Sequence, residues 1–143
     1  MVKNYTKTNL LKVKAAQRDA RQEEAFKLIN DYLCSQRNYR NPKLTSKKLS
    51  EAIGFSGRII ASTLNERVGM GFCKYLNHLR LTEVCRRLAS PKFSQYTAEE
   101  IGLSVGYISR QHFYLVFTRE MGCTPGEYRE NHLVHAEVES DEL

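Results

Sequence analysis

The sequence predicts an all-α protein of about seven helices, and three observations carry that prediction. Apolar residues recur at intervals of three and four, the spacing that gathers them on one face of a helix. No segment sustains the every-second-residue alternation of a half-buried strand. Hydroxyl residues stand before the apolar runs and glycines after them, where helices find their caps and stops.

Residues 1–20 are basic and poorly patterned, and read as an arm or linker. From Glu23 the spacing turns helical, with Phe26, Ile29 and Leu33 at i, i+3 and i+7 on one face. Asn41-Pro42 ends that segment, because a residue before proline avoids the helical region. Thr45 is the expected N-cap of a short helix through Ile53, which turns Leu49 and Ile53 inward. Gly54 supplies a sharp turn, Ser56 caps a helix through about Val68, and Gly69 stops it. A helix over 72–89 follows, keeping Phe72, Tyr75, Leu76, Leu79 and Leu88 on one face until Ser90-Pro91.

Thr97-Ala98-Glu99-Glu100 has the spacing of a reciprocal capping box and opens the next helix, with Ile101 and Val105 inward. Gly106 makes the turn, and Ser109 caps a helix through about Met121 that buries Phe113 and Phe117 and stops at Gly122. Thr124-Pro125-Gly126-Glu127 is a second box with proline at the first helical position, where its missing N–H costs nothing. Residues 131–143 form an acidic tail, expected to be frayed.

The two halves repeat one another. Leu49, Ile53, Gly54 and Phe55 recur 52 residues later as Ile101, Val105, Gly106 and Tyr107. Ile60, Leu64, Gly69 and Tyr75 recur 53 residues later as Phe113, Phe117, Gly122 and Tyr128. One extra residue therefore sits in the second turn. Each copy is a short helix, a glycine turn and a second helix, the pattern of a helix-turn-helix. The organisation is thus an arm (1–20), a first helix with the first unit (21–71), a linking helix (72–89), a second unit (90–130) and the tail (131–143).

A net charge of +6 hides a gradient. Residues 1–50 carry twelve Lys or Arg against four acids, while 131–143 carry four acids and no Lys or Arg. A basic N-terminal half favours a polyanionic partner, since phosphate neutralisation releases condensed counterions. No apolar run approaches a membrane span and no secretory leader is visible, so the expected location is cytoplasmic, without membrane insertion. Cys34, Cys73, Cys85 and Cys123 lack metal or redox spacing, and Cys34 and Cys85 read as buried thiols. His132 and His135 are three apart, but neither they nor any other cluster suggests a metal site, cofactor or catalytic constellation.

The stretch from Leu44 to Arg129 resembles the DNA-binding domain of AraC/XylS-type bacterial transcription regulators. The match is densest in "EEIGLSVGYISRQHFYLVFTREMGCTPGEYR", through Ile101, Val105-Gly106-Tyr107, Ser109, Phe113, Phe117, Gly122, Thr124-Pro125 and Tyr128-Arg129. Tyr75 and Arg80-Leu81 also fit in the linking helix. The resemblance implies two helix-turn-helix subdomains on a rigid helix, presenting recognition helices to successive major grooves roughly 34 Å apart. This chain departs from the pattern at Leu115, where the family usually has arginine; leucine can touch only a thymine methyl. Its first recognition helix carries Gly57, Ile59, Ile60 and Thr63, poor helix formers, and is expected to be less ordered or less specific. The family's usual effector-binding or dimerisation domain has no room in the forty-odd residues before Leu44, which implies a stand-alone regulator or the output end of a longer receptor.

Candidate base contacts follow from the faces left outward: Arg58 and Ser62 in the first unit, and Arg110, Gln111, Tyr114 and Leu115 in the second. Gln111 can pair bidentately with adenine, and Arg110 with guanine or phosphate. Candidate phosphate contacts are Thr45, Ser46, Lys47 and Lys48 at one helix start, Thr97 at the other, and Asn65. Plain solvated surface is the alternative for the cations, and simple capping for the threonines.

These residues lead to a sequence-specific, non-enzymatic regulator that binds double-stranded DNA through two successive grooves. RNA polymerase or an upstream sensor domain is the further partner to expect, and the isolated chain should be a monomer. The alternative is a protein-docking module on the same scaffold, with weak or no DNA specificity.

Overall fold

The computed structural model describes residues 6–141, with side chains described through Leu133. Among them are seven α-helices and no strand: α1 (Lys7–Asn30), α2 (Ser46–Ile53), α3 (Gly57–Val68), α4 (Phe72–Leu88), α5 (Ala98–Ser104), α6 (Arg110–Met121) and α7 (Pro125–Asp141). The chain forms two compact units, Met1–Gln36 with Thr45–Phe72, and Arg37–Leu44 with Cys73–Leu143.

In the first unit α1 packs on α2 and α3. Ala25, Ile29 and Leu33 are fully buried, and Leu49 of α2 and Ile60, Thr63 and Leu64 of α3 are buried as well. The helix begins sixteen positions earlier than the apolar spacing predicts. Residues 7–20 bury nothing, yet they are rich in Ala, Leu, Lys, Gln and Arg, which favour the helix intrinsically. The Thr6 hydroxyl accepts from Asn9 N at 3.3 Å and starts it. At the other end the helix stops well short of Asn41-Pro42: a wide π-turn spans Asp31–Ser35, and Arg37 sits left-handed at φ 54°. Cys34, expected inside, is exposed. Leu33 takes the inward position four residues after Ile29, and the next residue is rotated about 100° away from it.

The caps of this unit are those expected. Thr45 Oγ1 accepts from Lys48 N at 3.1 Å, and Ser56 Oγ from Ile59 N at 3.3 Å. Gly54 ends α2 at φ 78°, a region that glycine enters without steric cost. The poor propensities of α3 do not shorten it: it has 12 residues, as α6 does. Burial of Ile60, Thr63 and Leu64 outweighs a local preference worth only tenths of a kcal/mol per residue.

In the second unit α4 is part of the core. Leu81, Val84 and Leu88 join Ala98, Ile101, Val105, Tyr107, Phe113, Val116 and Phe117 in one apolar cluster. Both halves of the Thr97–Glu100 capping box form, at 3.1 and 3.3 Å. Helices α5 and α6 cross closely at Gly102, where a Cβ would lie 2.5 Å from Cγ of Phe113. Val105 and Gly106 make the turn, and Gly106, at φ 118°, is pressed from one side: a Cβ there would lie 2.8 Å from Arg80 Nε and 2.9 Å from the Arg40 carbonyl. Counting from glycine to capping serine identifies the extra residue of the second turn as Ile108, which is 77% exposed.

A polar clasp ties the 37–44 segment to α4. Arg80, nearly buried, donates from Nε to the Tyr39 carbonyl at 2.7 Å and from Nη2 to the Asn41 carbonyl at 2.9 Å. The Glu83 carboxylate accepts from Tyr39 Oη at 2.5 Å, from Arg40 Nε at 2.8 Å and from Arg40 Nη2, and pairs with Arg87 at 2.5 Å. Burial pushes the Glu83 carboxyl up, but the Arg40 and Tyr39 hydrogen bonds and the charges of Arg87 and Arg40 outweigh it and hold it at about 2. Tyr107, whose hydroxyl donates to Asn77 Oδ1 at 3.0 Å, is pushed up to about 12 by burial.

Candidate nucleic-acid interface

Each unit presents the second helix of its pair with one face sealed and the other open. In α6 the sealed face is Phe113, Val116 and Phe117. Ser109 Oγ accepts from His112 N at 3.1 Å, which fixes the start of the helix. Residues 111, 114 and 115 then turn away from the core by helical periodicity, while Arg110, two turns before Phe117, is exposed at the helix start. Arg110, Gln111, Tyr114 and Leu115 are all exposed and line one shallow hollow together with Glu99 of α5. Gln111 thus offers an amide donor and acceptor beside a guanidinium, with apolar surface from Leu115, 66% exposed, next to them. His112 lies between the two faces, its ring 5.9 Å from that of Tyr107.

In α3 the sealed face is Ile60, Thr63 and Leu64, and Arg58, Ser62 and Asn65 are exposed. Arg58 and Ser62 line a second hollow with Ile59, and with Arg18, Arg21 and Gln22 from α1. Asn65 stands one turn beyond Ser62 and does not line it.

The two helix starts proposed for phosphate differ in electrostatics. At α2, Ser46, Lys47 and Lys48 are exposed and the first turn holds no acid, so helix dipole and side chains agree in sign. At α5, Thr97 is committed to its capping box, and Glu99 and Glu100 occupy the first turn. Those carboxylates offset the dipole, which leaves the α2 start the better anion site of the two.

Several residues that hold these faces in place are not evident from the repeat alone. Arg129 donates to the Tyr96 and Phe93 carbonyls at 2.6 and 3.0 Å, pinning the loop before α5. Glu83 and Arg87 stand at i, i+4 and could be paired from sequence, but Arg40 is 43 residues away. Arg18 and Arg21 lie in the stretch that apolar patterning leaves blank. His132 Nδ1 sits 2.8 Å from the Tyr128 carbonyl, while the His135 side chain lies outside the described residues. Among the described residues no group of three or more His, Cys, Asp or Glu could hold a metal ion, and no helix is long and apolar enough to cross a membrane.

Comparison with known proteins places this geometry. The helix-turn-helix domain profile matches residues 49–131, more than half of the chain. The HTH-type transcriptional regulator YdiP of Escherichia coli K12 is 31% identical over 102 residues, covering 71% of this chain and 33% of that protein. The RCS-specific HTH-type transcriptional activator RclR of the same organism is 46% identical over 52 residues, 35% of this chain and 18% of the relative. The chain therefore spans a third or less of the length of these relatives. Among solved structures, the C-terminal domain of the two-component response regulator yesN from Fusobacterium nucleatum superposes with a TM-score of 0.65 at 24% identity, over 73% of this chain and 97% of that one. An AraC-type DNA-binding domain-containing regulator from Chromobacterium violaceum gives 0.63 at 21%, over 76% and 94%. At such identities the superpositions show the fold. The chain belongs to the helix-turn-helix domain family of AraC type, and it carries the DNA-binding module of a transcription regulator.

Proposed function

We propose that the chain, acting without enzymatic activity, reads an asymmetric double-stranded site with α3 and α6 in successive major grooves. The observation that supports this reading is the repetition itself. Both second helices are serine-capped, equally long and packed on one side, and both leave polar side chains open on the other. A groove-reading helix needs this division, because the core fixes its register while the outer face meets base edges. Gln111 and Arg110 discriminate bases in the second groove, and Arg58 and Ser62 in the first. Lys47, Lys48 and Asn65 contact the phosphates. Polymerase contact or control by an attached sensor belongs to the same reading, as does a cytoplasmic location.

A second reading, a protein-docking module, draws on the exposed apolar surface of Ile108 and Leu115 near α6. Duplex binding as a function of salt separates the two. Duplexes are first selected from a randomised pool by the full chain, then titrated between 50 and 200 mM salt. A DNA reader with several phosphate contacts loses orders of magnitude in affinity over this range. A flat response, with no preference over scrambled duplex, would favour docking.

A further inference from the structure

The face of α1 that packs on α3 does not end where the packing ends. Taking Ala25 as its centre, the helical repeat places Arg21, Arg18, Lys14 and Lys7 within about 40° of the same direction. All four are exposed. They form a basic stripe about 21 Å long from Lys7 to Arg21. The acids of α1 are sorted away from it: Asp19, Glu23 and Glu24 fall about 100–160° off that direction. So do Lys12 and Lys27, at about 140° and 160°. At its inner end the stripe runs into the hollow beside α3, where Arg18 and Arg21 stand with Arg58 and Ser62 over a floor of Ile59 and the nearly buried Gln22. Three guanidiniums thus converge beside the first recognition helix.

Such convergence costs repulsion unless an anion answers it. A solvated helix with no partner has no reason to segregate its charges by face, whereas a helix laid along a phosphate chain does. The stripe matches a sugar-phosphate backbone in being linear and single-signed, with arginines where a bidentate grip on phosphate oxygens is possible.

We propose that Lys7, Lys14, Arg18 and Arg21 form a phosphate-binding rail, which follows the DNA backbone flanking the groove read by α3. The rail lengthens the footprint of the first unit without adding base specificity. It rests on the DNA-reading function proposed above.

The test compares two variants that remove the same charge from the same helix. Arg18→Gln/Arg21→Gln removes two rail cations, and Lys12→Gln/Lys27→Gln removes two off the rail. Each full-length variant is titrated against the duplex selected by the wild-type chain and against a scrambled duplex, over a salt series, with circular dichroism as folding control. The rail variant should weaken binding to both duplexes by similar factors, roughly tenfold near 150 mM salt, and lower the salt slope by about two. The off-rail variant should keep the wild-type slope. Arg18→Lys/Arg21→Lys should restore most of it, since a phosphate accepts either cation. Equal losses in the rail and off-rail variants would mean that net charge alone is felt, and would overturn the rail. An unchanged slope in the rail variant would also overturn it while leaving the DNA-reading function standing. A wild-type chain with no salt-dependent duplex binding would overturn both.

Discussion

Single residues decide how closely the helices approach. Gly102 sits where a Cβ would meet the Phe113 ring, and Phe113 is fully buried with no room to yield. The corresponding positions of the first unit, 52 and 53 residues earlier, hold Ser50 and Ile60, a larger residue facing a smaller one. Gly102→Ala should therefore cost about 1–3 kcal/mol through overpacking, read as a shift in the urea midpoint. Adding Phe113→Ile should recover part of that loss, and strict additivity of the two would exclude the compensation. At the reading surface, Gln111→Ala should leave the fold intact and cost roughly 1–3 kcal/mol at the selected site, relaxing preference at one base pair. If that variant binds unchanged while Ser62→Ala loses preference, the first unit is the discriminating reader. The caps, and inward residues such as Ile29, Leu49, Phe113 and Phe117, were legible in sequence because each depends on neighbours within one or two turns. Gly102 was not, since its role lies in a ring eleven residues away across a turn. Arg18 and Arg21 escaped for a different reason: apolar periodicity says nothing about a helix face that buries nothing.

Elements are held by longer-range devices. The 52–53 residue repeat predicts α2, α3, α5 and α6 with their caps, and the structure has all of them. The same reasoning overlooks the clasp on α4, because Tyr39 and Arg40 reach Glu83 across more than forty residues and carry no local pattern. The clasp has a pH signature. Glu83 titrates near 2 in the folded chain, against about 4.3 unfolded, so its contribution is complete above the unfolded value and vanishes as pH falls toward 2. Roughly 2–3 kcal/mol should be lost over that window. Glu83→Gln should be destabilised by about 3–5 kcal/mol at neutral pH, because Arg40 and Arg87 lose their counter-charge, and its stability should fall less steeply between pH 5 and 2. Chemical denaturation at a series of pH values checks this, and parallel curves for the two proteins would remove Glu83 from the account. At the start of α2, Lys47→Ala should weaken all duplexes about equally and reduce the salt slope by roughly one. A loss confined to the selected duplex would make Lys47 a base reader.

At the scale of the molecule, the reading face proposed for each unit is built from that unit's own residues. Arg58 and Ser62 are supported within the first unit, and Gln111 and Arg110 within the second. A regulator with one reading helix per chain must dimerise to engage two grooves, and its site is then a palindrome. A chain with two unlike reading helices has no such need. Their outer faces differ residue by residue, so the preferred site should lack dyad symmetry. The exposed apolar residues of α1 do not argue otherwise. Leu10, Leu11 and Val13 are close in sequence, and the helix spreads them over about 160° of its circumference, so they make no continuous seam for a second copy. The chain should therefore sediment as a monomer at micromolar concentration and bind its selected duplex one to one. Selection from a randomised pool should return two unlike half-sites spaced by about one helical turn. A tight dimer in sedimentation, or a palindromic selected site, would show instead that one unit per chain does the reading and that symmetry supplies the second groove.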